Sequence, residues 1–199
     1  MKLIMENWNR FLEEQGNNKL WVIAGPPAVG KSYLMDKVKA LNAPNLIIQD
    51  IDYIPAVEAA TPNWNEVPEG ERDENSKTVM ALKKAATPKM NSGINDFIND
   101  HAEQDMFLVG IAWIDYRMPF EFPEHAVKIC LYRDPKTVAQ AYQDRAPRTG
   151  DSPKTGVTDE SIKWIEDEFA HYESQGWPLA TAEEIVALVK SHYQQEKTQ

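Results

Sequence analysis

The sequence contains a single cysteine, Cys130, among its 199 residues. One cysteine cannot form an intrachain disulfide, and the position of Cys130 in an apolar run favours a buried thiol over a nucleophile. No apolar run approaches the roughly 20 residues that a membrane-spanning helix requires. The first residues also lack the apolar segment and cleavage site of a secretory signal peptide. These absences predict a protein of a reducing cytoplasm with no membrane partner.

Positive charge is also scarce, because 21 Lys and Arg residues stand against 31 Asp and Glu, for a formal net charge of −10 at pH 7. So acidic a chain is not expected to coat nucleic acid through a broad basic surface, although a local basic groove remains compatible with it. His101 and His125 do not have the spacing of metal ligands. The hydrophobic content of 42% is sufficient for a globular core. We therefore expect one domain, 1–199, as a monomer or dimer.

Residues 25–32 match a complete phosphate-binding loop motif, G-x-x-x-x-G-K-S/T, and read Gly25-Pro26-Pro27-Ala28-Val29-Gly30-Lys31-Ser32. Glycines at the fixed positions let the backbone curl so that successive N–H groups converge on phosphate oxygens. In this motif the lysine reaches the β- and γ-phosphates, and the hydroxyl of Ser32 can ligate Mg²⁺. A helix that begins near Lys31 would direct its positive dipole end at the same phosphates. The loop therefore predicts an ATP·Mg²⁺ site, in which we include the neighbouring Tyr33.

Predicted strands and helices alternate along the chain. Apolar runs predict strands at 19–24, 46–49, 106–113, 126–132 and 177–179. Helical spacing and capping residues predict helices at 3–15, 32–41, 77–86, 92–101, 134–145, from 158 and from 181. Alternation of this kind predicts an α/β three-layer sandwich with a parallel sheet of about five strands. Ligands of such sheets bind beyond the carboxyl ends of the strands, where the loop motif lies.

Two aspartates, Asp50 and Asp52, follow the second predicted strand. If the extended geometry persists, both side chains point to the same side of the sheet. Next to a triphosphate, one carboxylate can hold Mg²⁺ and the other can accept the proton of an attacking hydroxyl. We assign Asp50 to the metal and Asp52 to the base. A solvated strand end or a helix cap is the structural alternative for the pair.

A second group of candidate site residues consists of three arginines, Arg133, Arg145 and Arg148. Phosphoryl transfer spreads negative charge over equatorial oxygens, which planar guanidinium groups reach with paired donors. Arg145 and Arg148 flank the start of a loop rich in proline and glycine, and we interpret 145–157 as a lid that closes over ATP. Arg133, at the end of a strand, is placed with the ATP-binding residues. The alternative is that these arginines form surface ion pairs with an acidic chain.

The order of these features resembles the P-loop kinases, the group that includes shikimate, gluconate, nucleotide, polynucleotide and zeta-toxin-like kinases. The resemblance rests on the complete loop motif, on Asp50 and Asp52 after the second strand, and on the arginine-bearing lid. It implies a P-loop NTPase fold with ATP and Mg²⁺ as cofactors. It also implies that Asp52 lies near the acceptor hydroxyl and that Arg145 or Arg148 is a lid arginine.

The acceptor is less well defined than the donor. Residues 61–75 are acidic and rich in proline, with Arg72 as the one basic residue, and this composition favours a neutral hydroxyl over a nucleoside monophosphate. The opening segment 3–8 resembles the start of many small phage-encoded proteins. That resemblance would place the protein in a host cytoplasm and add the 5′ ends or hydroxymethylated bases of nucleic acid to the candidate acceptors.

Two other classes of function fit part of the sequence. In an NTPase coupled to a protein or DNA partner, an acidic residue usually closes an apolar strand, and Asp115 after the predicted strand 106–113 matches this pattern imperfectly. Trp113 and Tyr116 could stack on a ring of an acceptor or belong to the core. A nucleotide-binding module without catalysis is disfavoured by the intact Lys31 and Ser32 and by the two aspartates. The sequence therefore predicts an ATP-dependent phosphotransferase.

Overall fold

The computed structural model describes residues 19–63, 67–71, 76–110, 121–145 and 156–196. Five strands form one sheet: β1 Leu20–Ala24, β2 Leu46–Asp50, β3 Asp105–Val109, β4 Val127–Leu131 and β5 Leu179–Ala180. Their order in the sheet is β2-β3-β1-β4-β5, and every neighbouring pair is parallel. The predicted parallel sheet of about five strands is therefore confirmed, and all five strands direct their carboxyl ends to the same edge.

Helices flank the sheet and complete the α/β layers. Those in the described residues are α1 Lys31–Lys39, α2 Pro55–Ala60, α3 Lys77–Asp100, α4 Pro135–Asp144, α5 Asp159–Ser174 and α6 Ala182–Glu196. The predicted caps are observed, because Asp134 accepts from the amide of Thr137, and Thr158 and Thr181 each open a capping box. Across the described ranges, no helix has the length and apolar character needed to cross a membrane.

The core lies around the interior strands. Every residue of β1 and β3 is buried, which explains why these two segments are near-continuous apolar runs. Trp21 and Phe107, which are paired in the sheet, are the largest fully buried side chains. The second strand differs from the prediction of a buried strand, because each residue of β2 is half-buried. The position of β2 at the edge of the sheet accounts for this difference.

The prediction of two helices at 77–86 and 92–101 is wrong, because α3 is continuous from Lys77 to Asp100 and contains Pro88. Proline cannot donate a backbone hydrogen bond and disfavours a helix interior. Here Pro88 is exposed, and one buried stripe continues on both sides of it: Val79, Lys83, Ala86, Met90, Gly93, Ile94 and Ile98. The stripe packs on α2, where a Cβ at Gly93 would lie 2.7 Å from that of Ala56. Tertiary packing therefore outweighs the local preference of proline.

Several predictions fall outside the described residues. These are the helix at 3–15, the last part of the strand at 106–113, Asp115, Arg148 and nearly all of the lid at 145–157. Within the described part, β3 ends at Val109 and the amide of Gly110 donates to the carbonyl of Ile23.

A buried carboxylate connects the amino end of the sheet to the last helix. Asp105, 6% exposed at the start of β3, accepts from the backbone N–H of Lys19 at 2.6 Å and from the hydroxyl of Tyr193 at 2.7 Å. The Nε2 atom of His192 lies 3.2 Å from Oδ2 of the same carboxylate. Burial acts to raise the pKa of Asp105, but hydrogen bonds from His192, Lys19 and Tyr193 outweigh it and lower the pKa. We call Lys19, Asp105, His192 and Tyr193 the amino-end network.

Candidate active site

The phosphate-binding loop joins β1 to α1 at the carboxyl edge of the sheet, as the sequence predicts. Three of its residues have positive φ angles: Gly25 at 146°, Ala28 at 64° and Gly30 at 111°. A side chain at Gly25 would be doubly unfavourable, because a Cβ there would lie 3.0 Å from the carbonyl oxygen of Leu131. Ala28 adopts a left-handed conformation that costs energy for a residue with a Cβ, and such strain is frequent at ligand-binding loops.

Lys31 extends back across the loop. Its ammonium donates to the carbonyl oxygens of Gly25 at 2.7 Å and Pro26 at 3.0 Å, so the cation lies where the loop curls. Burial lowers the pKa of Lys31 from its ordinary 10.5 to about 8. Part of the residue remains exposed, and the two carbonyl oxygens hold its ammonium group against the loop. Both contacts of the ammonium are with carbonyl oxygens, which accept hydrogen bonds as phosphate oxygens do.

The acidic pair lies beside this lysine in a different geometry from the one the sequence suggests. The extended geometry that would direct both side chains to one side does not persist, because β2 ends at Asp50 and residues Ile51–Tyr53 form a turn of 3₁₀ helix. For Asp50 the structure shows the alternative of a helix cap. Oδ1 of Asp50 caps that turn by accepting from the amide of Asp52 at 3.0 Å. The negative charges of both aspartates act to raise the pKa of Lys31 against the effect of burial. The charges of both aspartates therefore act on the lysine of the loop. Asp50 also has a structural role as the cap of the turn.

Gly110 is a residue of this site whose contribution the sequence reasoning missed. It has a φ of 148°, and a Cβ there would lie 3.0 Å from Cβ of Ile51 and 3.5 Å from Oδ1 of Asp50. Ile51 is buried, so the turn that carries the aspartates lies closely against the end of β3. A glycine directly after a buried apolar run was the available signal for this close approach.

Ser32 and Tyr33 form the first turn of α1 and are both exposed. The hydroxyl of Ser32 is therefore accessible at the positive end of a helix, which is suitable for a cation bridging to phosphate. The ring of Tyr33, 51% exposed, lies 5.1 Å from the ammonium of Lys37 on the next turn. The place of Tyr33 among the ATP-binding residues stays a prediction.

The three arginines have different positions. Arg133 is exposed, just after the carboxyl end of β4. Arg145 caps the carboxyl end of α4, its guanidinium carbon lies 4.4 Å from the centre of the Tyr142 ring, and its charge acts to lower the pKa of Lys31. Arg148 lies outside the described residues. Of the arginines in the described part of the chain, Arg145 is the one whose charge affects the pKa of Lys31.

The side-chain oxygens of the site are of the kind that ligate Mg²⁺ beside a bound nucleotide. In the described residues, no group of three or more His, Cys, Asp or Glu side chains could hold a metal ion on its own. Mg²⁺ in phosphoryl-transfer sites typically has one or two protein oxygens as ligands, with waters and substrate phosphates supplying the rest. Ser32 and Asp50 could supply such oxygens.

Cys130 is buried beneath the loop, and burial raises the pKa of its thiol to about 12, which confirms the prediction of a buried thiol.

Comparison with solved structures identifies the fold. Shikimate kinase from Bacteroides thetaiotaomicron matches with a TM-score of 0.52 and 16% sequence identity, over 90% of this chain and 97% of that chain. The parallel five-stranded sheet flanked by helices is therefore the P-loop NTPase α/β fold, as predicted from the loop motif. No protein-family model matches the chain, and no curated protein matches it. Nothing in these comparisons supports a phage origin.

Proposed function

We propose that this protein is an ATP- and Mg²⁺-dependent phosphotransferase that moves the γ-phosphate of ATP to a neutral hydroxyl. The observation that carries the proposal is the position of Lys31, whose ammonium donates to the carbonyl oxygens of Gly25 and Pro26. Burial lowers the pKa of this lysine, and the charges of Asp52 and Asp50 act against that effect. Cation and carboxylates from separate segments thus meet at one edge of the sheet. A module that binds ATP·Mg²⁺ without catalysis would use one carboxylate for the metal but would not need a second one as a base.

In the proposed reaction, Lys31 and the loop amides orient the β- and γ-phosphates of ATP. Asp52 accepts the proton of the acceptor hydroxyl as its oxygen attacks the γ-phosphorus. The bond between that phosphorus and the bridging oxygen breaks, and ADP leaves. Arg145, and Arg148 from the lid, interact with the charge on the transferring phosphoryl group. Ser32 and Asp50 would hold Mg²⁺, which would neutralise charge on the phosphates.

The acceptor is proposed to be a neutral hydroxyl compound. Residues 50–60, from the last residue of β2 through the turn and α2, contain three acidic residues, Asp50, Asp52 and Glu58, and no Lys or Arg. Such a surface repels an acceptor that carries a phosphate or a carboxylate. In this proposal the one anionic substrate is ATP, which binds at the loop. Nucleosides, polyols and the hydroxymethyl group of a modified base in nucleic acid belong to this class.

Incubation with γ-labelled ATP and a panel of acceptors tests the proposal. The panel contains nucleosides, nucleotides, small polyols, and oligonucleotides with and without hydroxymethyl bases. We expect label in one neutral-hydroxyl class, no transfer in Lys31→Ala, and intact ATP binding with lost turnover in Asp52→Ala. Asp36→Ala, an exposed acidic residue on α1, is the matched control and should transfer normally. ATP hydrolysis that needs no acceptor and rises with a protein or DNA partner would instead identify a coupled NTPase.

A further inference from the structure

Arg145 has a defined position that the sequence reasoning did not foresee. The sequence places this arginine at the start of a lid, where it would reach ATP only on closure. In the structure it is the cap residue of α4, and its amide donates to the carbonyl of Ala141. The residue is half-buried, and its Nε atom is buried. The backbone of Arg145 therefore belongs to the helix, and only the residues after it lie outside the described part of the chain.

Two aromatic side chains lie behind this arginine. The guanidinium carbon of Arg145 is 4.4 Å from the centre of the Tyr142 ring, within the range of a cation–π contact. The ring of Tyr142 in turn contacts that of Trp164 on α5, with 6.0 Å between ring centres and 59° between planes. Arginine, tyrosine and tryptophan thus form a row that extends from the end of α4 to α5. The ring of Tyr142 is therefore one contact that orients a side chain with many rotamers.

We propose that Tyr142 is a positioning residue that holds the Arg145 guanidinium beside the phosphate-binding loop, so that this cation is in place before ATP binds. The inference rests on the proposed function, because it assigns Arg145 to the triphosphate. Preorganisation of this kind removes the entropy cost of ordering a long cationic side chain when the ligand arrives. The contribution of Tyr142 to ATP binding should therefore depend on the presence of Arg145.

A double-mutant cycle in the full-length protein tests this dependence. The affinity for ATP in the presence of Mg²⁺ is measured by calorimetry for the wild type, Tyr142→Leu, Arg145→Met and the double variant. We expect Arg145→Met to weaken binding about tenfold, as for loss of a charge-assisted hydrogen bond. Tyr142→Leu should weaken it about threefold to fivefold, as for loss of a cation–π contact. The double variant should be no weaker than Arg145→Met alone.

Tyr142→Phe separates positioning from general packing, because phenylalanine keeps the ring face without the hydroxyl. We expect its ATP affinity to lie within about twofold of the wild type. The pH dependence of binding is a second readout that a structural role would not change. Since the charge of Arg145 acts to lower the pKa of Lys31, Tyr142→Leu and Arg145→Met should both move the alkaline loss of ATP affinity to higher pH.

The result that overturns the inference is an additive cycle, in which Tyr142→Leu weakens ATP binding equally with and without Arg145. An equal loss in Tyr142→Phe and Tyr142→Leu would also contradict it. These measurements need no acceptor, so they remain informative if the acceptor panel is negative. In that case the proposed phosphotransferase fails, while the cycle still decides whether Tyr142 acts through Arg145 on bound ATP.

Discussion

The two ends of the sheet use their charged groups in different ways. At the amino end, the carboxylate of Asp105 is buried and accepts hydrogen bonds from Lys19, His192 and Tyr193. At the carboxyl end, Lys31 is held by two backbone carbonyls, and the aspartates influence it through space. The charges of the amino end are matched by partners within the chain. Those of the carboxyl end lie around a loop whose backbone has positive φ angles at Gly25, Ala28 and Gly30.

The comparison shows how stability and function can be separated in one sheet. Buried polar groups with complete hydrogen bonding tie distant segments together, and removal of one partner leaves the others unsatisfied. A cation whose contacts are backbone carbonyls can be removed with a smaller effect on the fold. Variants at the amino end should therefore change the free energy of unfolding, and variants at the carboxyl end should change ATP binding and turnover.

The largest expected effect is the loss of turnover in Lys31→Met. Removal of the cation that orients the β- and γ-phosphates should lower kcat/KM about 1,000-fold, or about 4 kcal/mol, while the urea midpoint of unfolding stays within error or rises. The rise is possible because a buried cation is removed. Lys37→Met, at an exposed position on the same helix, is the control and should retain activity. A large loss of stability in Lys31→Met would contradict the separation of the two ends.

The opposite pattern is expected for Asp105→Ala. Three donors of the amino-end network lose their acceptor, at about 1 kcal/mol each, so the free energy of unfolding should fall by about 3 kcal/mol. Tyr193→Phe, which removes one of these donors, should cost about 1 kcal/mol. Urea unfolding measures both, and calorimetry at a temperature where the variants are folded should give wild-type ATP affinity. A weakened ATP affinity in folded Asp105→Ala would show that the ends are coupled.

Gly25→Ala tests the backbone of the loop separately from its charges, because the substitution adds a Cβ and changes no charge. The new Cβ would meet the carbonyl oxygen of Leu131 at 3.0 Å on a backbone with a φ of 146°. We expect a cost of about 2 kcal/mol, shared between stability and ATP binding. The control is Gly70→Ala, where a Cβ would meet nothing within 4 Å. Equal behaviour of the two variants in urea unfolding and in ATP calorimetry would contradict the strain assigned to Gly25.

The last prediction concerns the pH dependence of stability, in which the two ends should respond at opposite ends of the pH scale. The pKa of Asp105 is lowered in the folded protein, so its stabilisation is present above its unfolded value near 3.8 and is lost as the pH falls below it. The pKa of Lys31 is lowered to about 8, so stability rises between pH 8 and 10.5 as the buried cation loses its proton. ATP affinity should fall over that alkaline range. Unfolding curves of wild type and Lys31→Met across pH measure the difference.

Sequence patterns predicted the carboxyl end better than the amino end. The loop was recognisable because each fixed residue has a local role, and β1 and β3 were recognisable as buried apolar runs. The amino-end network could not be predicted, since Asp105 and His192 are 87 positions apart and meet only through the fold. Continuity of α3 through Pro88 depends in the same way on tertiary packing. The turn at Asp50 depends on the close approach of Gly110, for which a glycine directly after an apolar run was the one local signal.

Titration of the ¹⁵N-labelled protein with ATP and Mg²⁺, followed by amide chemical shifts, tests the central claim most directly. We predict that the largest shifts occur in residues 25–33, with smaller ones in residues 50–53 and at Arg145. The amides of Lys19, Asp105, His192 and Tyr193 should not move. Shifts centred on the amino-end network, or no shift in the loop at saturating ATP, would contradict the assignment of the carboxyl end as the nucleotide site.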